Sequence, residues 1–164
     1  MPVVRYTRRE AHLVLLFLAM SCCSHSIHDY FRGLIMRFLS RRLVLPNDLN
    51  YANSLFGGRA LAWIDEEAAI FAICQLETNC LVTKHIGAIN FESPALQGDV
   101  VEFGLTTKSV GRTSITITCL MRNKVTKKTI CLADDIVFVQ VDPDTKKPIP
   151  HGKTLLALQA QEAE

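Results

Sequence analysis

From Met36 onward, apolar and polar positions fall into blocks of two different periods. Arg37–Leu45 (RFLSRRLVL) has strand length and stops at Pro46, which predicts a first strand. Asn47–Gly58 (NDLNYANSLFGG) is dense in Asn, Asp, Ser and Gly, and predicts a loop with defined turns. Arg59–Leu76 (RALAWIDEEAAIFAICQL) has helical length, strong helix formers and neither Gly nor Pro. After Asn79 the period changes to two. Cys80–Phe91, Asp99–Val110, Thr113–Met121 and Thr129–Val141 are strand candidates. Ser93-Pro94, Gly111-Arg112 and the polar stretch Asn123–Lys128 separate them, and Asp142-Pro143-Asp144 ends the last. In the third, Ile115, Ile117, Cys119 and Met121 share one face, and Ser114, Thr116 and Thr118 the other.

Short hairpin-like turns require antiparallel neighbours, because parallel pairing needs long crossovers. The expected class is therefore α+β, with one long helix against about five antiparallel strands. A solvated helix would repeat a polar stripe every three or four positions. From Arg59 that series runs through Ala62 or Trp63, Glu66, Ala69 or Ile70, and Ile73, so no stripe exists. The helix is expected to be apolar nearly all round, central and wrapped by the sheet. Residues 36–150 read as one domain, 1–35 as an N-terminal extension and 151–164 as a polar or weakly helical tail.

Composition agrees with this reading. The chain has 164 residues, enough for one domain with a core, and is 49% apolar and 21% charged, which is globular. The net charge of +2 is unevenly spread: residues 1–45 hold seven Lys or Arg against two acids, and 46–164 hold eleven against fourteen. A mildly acidic main body offers no basic face for nucleic acid. The six cysteines form no CxxC pair and no zinc-finger spacing with histidine, and Cys74, Cys119 and Cys131 lie in apolar runs. Reduced thiols, a cytoplasmic setting and no metal are expected.

The extension has three readings. Arg5, Arg8 and Arg9 precede the apolar run Ala11–Met20, and Ala19-Met20-Ser21 resembles a small-x-small cleavage site, as in an export signal. That reading makes the protein exported or membrane-associated through residues 1–21. The run is too short to span a bilayer, so stable membrane insertion is not expected. Alternatively, 1–35 is sequence upstream of a start at Met36, or an extra amphipathic helix on the domain.

Chemistry centres on Asp65-Glu66-Glu67 in the middle of the apolar helix, since an unpaired buried carboxylate is costly. Successive residues point about 100° apart, so the three cannot share one environment. Favourable charge on a solvated edge would account for them equally well. Before them, Phe56-Gly57-Gly58 leads into the helix and exposes backbone N–H groups at its positive end, an oxyanion site of the kind acyl transfer needs. A tight turn would look the same. Asp65 follows Gly58 by about two turns, so the two can flank one groove.

Three segments carry a more specific pattern: Leu45-Pro46-Asn47-Asp48-Leu49-Asn50, Leu55-Phe56-Gly57-Gly58 and Ala62-Trp63-Ile64-Asp65-Glu66. They resemble the LPNDxN, GxxFGG and WxDE signature of hot-dog-fold acyl-CoA thioesterases, in the cytosolic acyl-CoA hydrolase branch. The likeness continues through Phe91-Glu92-Ser93-Pro94, Gly98-Asp99-Val100-Val101, Val110-Gly111-Arg112-Thr113-Ser114 and Phe138-Val139-Gln140-Val141-Asp142, covering roughly residues 40–150. Residues 1–35 have no counterpart in the pattern.

The resemblance implies hydrolysis of acyl-CoA to a carboxylic acid and CoA, with no cofactor beyond the substrate's own CoA. It implies Asp65 as catalytic carboxylate, acting as general base or nucleophile, and Asn50 as its partner across a homodimer interface. It also implies a further assembly of dimers into hexamers, a trimer of dimers. Gly58 N–H, with Gly57, would bind the thioester oxygen beside Phe56, and Gly111, Arg112, Thr113 and Ser114 would meet the CoA nucleotide. A turn-forming Asn and a bare hairpin turn are the plainer readings of Asn50 and of 111–114. Two departures stand out. Asn53 replaces a usual Gly, and Asp134-Asp135 interrupts the last strand, which suggests an edge, a bulge or an interface contact. Residues 47–67 contain no His, which argues against a dehydratase of the same fold. Two further readings are a non-catalytic acyl-CoA-binding module and a thioesterase acting on acyl-carrier protein.

Overall fold

A computed structural model describes residues 36–158; the expectations for residues 1–35 lie outside them. The elements in chain order are β1 (Arg37–Leu43), α1 (Gly57–Leu76), β2 (Leu81–Ile86), β3 (Ile89–Phe91), β4 (Val100–Val110), β5 (Ser114–Asn123) and β6 (Thr129–Gln140). They form one six-stranded sheet in the order β1-β4-β5-β6-β2, with β3 also on β6, and every pairing is antiparallel. β4, β5 and β6 follow one another as hairpins, as their short connections require. The predicted face of β5 is the core face: Ile115, Ile117, Cys119 and Met121 are all fully buried.

There are six strands where about five were expected, because Cys80–Phe91 is two strands and not one. The break falls at Gly87, whose N–H donates to Asp135 O at 2.7 Å. A Cβ there would lie 3.0 Å from that of Asp135. β6 bulges at the same place. Ile136 pairs with Ile117 and Ala133 with Cys119, so Asp134 and Asp135 oppose the single residue Thr118. The acidic pair therefore marks a bulge, and it is neutralised across the sheet by Lys108, at 2.9 Å from Asp134 and 3.0 Å from Asp135. Those two carboxylates hold Lys108 well above the usual lysine range.

α1 begins two residues before the predicted start, with Phe56 as N-cap residue and both glycines inside the first turn. It ends at Glu77, which takes the left-handed conformation at φ 55°. The helix is apolar nearly all round, as expected, but within the chain it is not wrapped on all sides. Ala60, Trp63, Ile64, Glu67, Ala68, Phe71, Ala72, Gln75 and Leu76 are buried, which is one continuous face at three- and four-residue spacing. The opposite face, with Ala62, Glu66, Ile70, Ile73 and Cys74, is exposed because one sheet covers only one side of a helix. The core lies between that buried face and Val101, Phe103, Leu105, Ile115, Ile117, Ile136 and Phe138. Structure also continues past residue 150. Ile149 N–H donates to Gln140 O at 3.0 Å, residues 155–158 are helical, and Leu158 joins the core.

Candidate active site

The loop before α1 is pinned to the helix start by Asp48. Its carboxylate accepts from Leu45 N–H at 2.9 Å and pairs with Arg59 at 3.2 Å, while its carbonyl accepts from Phe56 N–H at 2.8 Å. Asn53 takes φ 57°, so Asn here adopts the left-handed geometry that the usual glycine would favour. Leu55 N–H donates to Ala95 O at 2.8 Å, which brings the segment after β3 alongside.

These ties enclose a cleft of about 360 Å³ at the helix N-terminus. Asn50, Ser54 and Gly57 line one part, Phe91, Glu92 and Ser93 another, and Leu55, Ala60, Ala95 and Ile130 give it apolar walls. The N–H groups of Arg59 and Ala60 both turn back to Phe56 O. Those of Gly57 and Gly58 meet no acceptor among the described residues, leaving two free donors at the positive end of the dipole. Gly57 faces the cleft. Gly58 lies beneath the exposed Phe56 ring, which a Cβ at Gly58 would approach to 2.7 Å. Asn50 Oδ1 accepts from Ala52 N–H at 2.9 Å and Ser54 N–H at 3.2 Å, so it does build the turn. Its Nδ2 donates to Ser54 Oγ at 3.2 Å, which leaves its second amide hydrogen for the cleft.

The three helix carboxylates divide between two edges of the sheet, two to one and one to the other. Glu66 and Glu67 turn to the β1 edge, where Arg42 meets Glu66 Oε2 at 2.6 Å and Glu67 Oε1 at 3.1 Å, with its guanidinium 5.5 Å over the Trp63 ring. Asp65 turns to the opposite edge, where Thr83 Oγ1 of β2 donates to Oδ1 at 3.0 Å. Asp65 has no cation partner among the described residues. It also lies about 12 Å along the axis from Gly57, by the rise of the helix. No hydrogen bond joins it to Asn50 or to either glycine within the chain. One chain thus holds Asn50 with Gly57, and keeps Asp65 apart from both.

The Gly111–Ser114 turn is a separate place. Gly111 N–H donates to Ser114 O at 2.8 Å, and Thr113 O accepts from Gln140 N–H at 2.8 Å. His151 N–H reaches Arg112 O at 3.3 Å, and its ring Nε2 lies 3.2 Å from Ser114 O. The Arg112 side chain is exposed. His85 is exposed on β2. Among the described residues no cluster of three or more His, Cys, Asp or Glu could hold a metal, and no helix is long and apolar enough to cross a membrane. Burial pushes the Cys131 thiol up to about 12 and that of Cys119 higher still, so neither is a ready nucleophile.

Thr83 and Glu92 are the site residues that sequence reasoning did not single out. Thr83 had no signal, since its partner is eighteen positions away on another element. Glu92 falls within the Phe91-Glu92-Ser93-Pro94 segment, to which the resemblance assigns no role.

Residues 52–130 match the family model described as the Thioesterase superfamily. Among solved structures the chain is similar to a hexameric thioesterase from Yersinia pestis, at 29% identity and a TM-score of 0.63, over 70% of this chain and 93% of that one. It is similar to an acyl-CoA hydrolase from Staphylococcus aureus, solved with butyryl-CoA, CoA and CoA disulfide, at 29% identity and a TM-score of 0.61. That match covers 68% of this chain and 66% of the other. A hexameric, broad-specificity acyl-coenzyme A thioesterase, solved as an aspartate-to-alanine mutant, is 27% identical with a TM-score of 0.64, over 78% of this chain and 99% of that one.

Proposed function

We infer, for a chain that belongs to the thioesterase superfamily and has its hot-dog fold, that it hydrolyses acyl-CoA thioesters with Asp65 as the catalytic carboxylate. One observation carries the residue assignment. Of three consecutive carboxylates, Asp65 alone is free of a cation among the described residues, and it is held by a single hydroxyl that leaves its other lone pairs for water. A thioester carbonyl is electrophilic enough to need only an activated water and a stabilised oxyanion.

As general base, Asp65 takes a proton from water while the oxygen attacks the thioester carbon. The carbonyl oxygen becomes an oxyanion on the free N–H groups of Gly57 and Gly58, and collapse expels CoA as thiolate, which is then protonated. As nucleophile, Asp65 forms an acyl anhydride and releases CoA, and water hydrolyses the anhydride. Both routes need Asp65 beside an oxyanion site that its own chain holds about 12 Å away. Two copies resolve this: the cleft of one chain, with Asn50 and Gly57, receives Asp65 from the second. Asn50 offers its spare amide hydrogen to water or the thioester, and the exposed Arg112 at the 111–114 turn is suited to a phosphate of CoA.

The test is release of thiol from butyryl-CoA, followed with a thiol-reactive dye. Wild type should turn over steadily and Asp65→Ala should not. An equimolar mixture of Asp65→Ala and Asn50→Ala chains, refolded together, should regain part of the activity, because some dimers then contain one intact site. Full activity in Asp65→Ala defeats the assignment, and no rescue in the mixture defeats the shared site.

A further inference from the structure

Glu92 has no task in the reaction above. It follows β3 at the cleft, and its backbone N–H is fixed to Ile130 O at 2.9 Å, so the root of the side chain is set by the sheet. Its carboxylate meets no cation and no hydrogen-bond donor among the described residues. Other carboxylates along the loop and helix are engaged: Asp48 by Arg59, Glu66 and Glu67 by Arg42, Asp65 by Thr83. Among the described residues no Lys, Arg or His lines the cleft, and its other lining residues are uncharged. The charge of Glu92 is felt through the wall, where it adds to the effect of burial in raising the Cys131 thiol.

We propose that Glu92 is a specificity residue that selects against acyl groups ending in a carboxylate, so that the cleft takes neutral acyl-CoA in preference to dicarboxylic acyl-CoA. The proposal rests on the acyl-CoA reading above. A neutral alkyl chain meets Leu55, Ala60, Ala95 and Ile130 and leaves the carboxylate facing solvent. A chain with a terminal carboxylate brings a second negative charge up to the exposed Glu92 carboxylate, at a cleft that no Lys, Arg or His among the described residues lines. Like charges at short range repel even where water reaches them, to a degree that salt reduces, and a built-in repulsion is a way to reject a competitor.

The experiment compares kcat/KM for butyryl-CoA and succinyl-CoA in wild type, Glu92→Gln and Glu92→Lys, each at low and at high salt. Wild type should favour butyryl-CoA by about tenfold or more, the discrimination that one like-charge contact typically supplies. That ratio should contract in Glu92→Gln and contract further, or invert, in Glu92→Lys. Salt should shrink it in wild type and leave it nearly unchanged in Glu92→Gln. Equal use of both substrates by wild type, a ratio unmoved by either substitution, or a wild-type ratio indifferent to salt overturns the proposal while leaving acyl-CoA hydrolysis intact. Hydrolysis of neither substrate overturns the functional reading on which it rests. The salt response of wild type does not depend on how well the variants fold.

Discussion

The two flanks of α1 carry the same chemical group in opposite states. Toward β1, Glu66 and Glu67 both end on Arg42, which also covers Trp63. Toward β2, Asp65 is held by the Thr83 hydroxyl and by no cation among the described residues. Asp65 and Glu67 are about 200° apart around the helix and so face opposite edges of the sheet, while Glu66 between them reaches the same Arg42 as Glu67. A carboxylate closed off by a guanidinium has its lone pairs occupied and serves as a fixed structural charge. One held by a hydroxyl stays available as a base. Glu102 is the closed state at its limit. It is fully buried, with Arg122 at 2.8 Å, Lys127 at 2.9 Å, Lys124 at 3.1 Å and Arg41 at 3.6 Å. Burial alone would raise its pKa, but hydrogen bonds from Lys127, Lys124 and Arg122 outweigh that and bring it to about 2.

The contrast breaks first, and hardest, at Asp65. Asp65→Asn keeps the size of the side chain and an oxygen to accept from Thr83, yet removes the carboxylate. We expect kcat to fall by about 10³-fold, within the range of a lost general base, with unfolding free energy changed by less than about 1 kcal/mol. Steady-state thiol release and urea unfolding measure the two. A variant that loses stability in proportion to activity would make Asp65 one more closed carboxylate.

Glu102 should show the reverse, a stability effect with a pH signature. Glu102→Ala leaves four cations facing one another, and because those cations are partly exposed and can turn to water, the cost should be about 2 kcal/mol, below that of a fully buried broken pair. The folded-state pKa of about 2 lies below the ordinary value of 4.5, so the carboxylate contributes stability above pH 4.5 and loses it as pH falls toward 2. Glu102→Gln should therefore flatten the acid limb of stability against pH in that window. An acid limb identical to wild type would mean that the four cations leave Glu102 unperturbed.

How much of this was legible in the residues differs by element. β5 was readable because its alternation is local, and Ile115, Ile117, Cys119 and Met121 fall where their period puts them. The break in β2–β3 was not, because it answers a bulge at Asp134 and Asp135 that lies some fifty residues on. The one-sided burial of α1 was also hidden, since Ile70 and Ile73 are apolar yet exposed in the single chain, and composition does not say which apolar face a neighbour covers. At the site, the resemblance picked out Asp65, Asn50 and the glycines. It also implied that Asn50 and Asp65 come from different chains; what it could not supply were the pairings Arg42–Glu67 and Thr83–Asp65, which exist only once the sheet sets β1 and β2 at opposite edges.

On the closed flank, Arg42→Met keeps the stem that packs on Trp63 and removes the charge. Glu67, which is nearly buried, then loses its counter-ion, and we expect a loss of about 1–2 kcal/mol in unfolding free energy. Turnover should stay within about threefold of wild type, since Arg42 serves the structural flank. A larger loss of kcat at unchanged stability would show that the two flanks are coupled through the helix.

Thr83→Val gives the smallest effect and the finest resolution of the contrast. Valine matches threonine in shape and suits an edge strand, so the fold should be unaffected and the melting temperature unchanged. What disappears is the hydroxyl that donates to Asp65 Oδ1 at 3.0 Å. If Thr83 only steadies the orientation of Asp65, losing one hydrogen bond to a charged group near the surface should lower kcat by about fivefold and leave KM nearly as it was. Serine restores the hydroxyl without the methyl group, so Thr83→Ser should recover most of the activity. The pair separates a hydrogen-bonding role from a packing role: equal loss in valine and serine would assign Thr83 to packing, and no loss in either would leave Asp65 positioned by the helix alone.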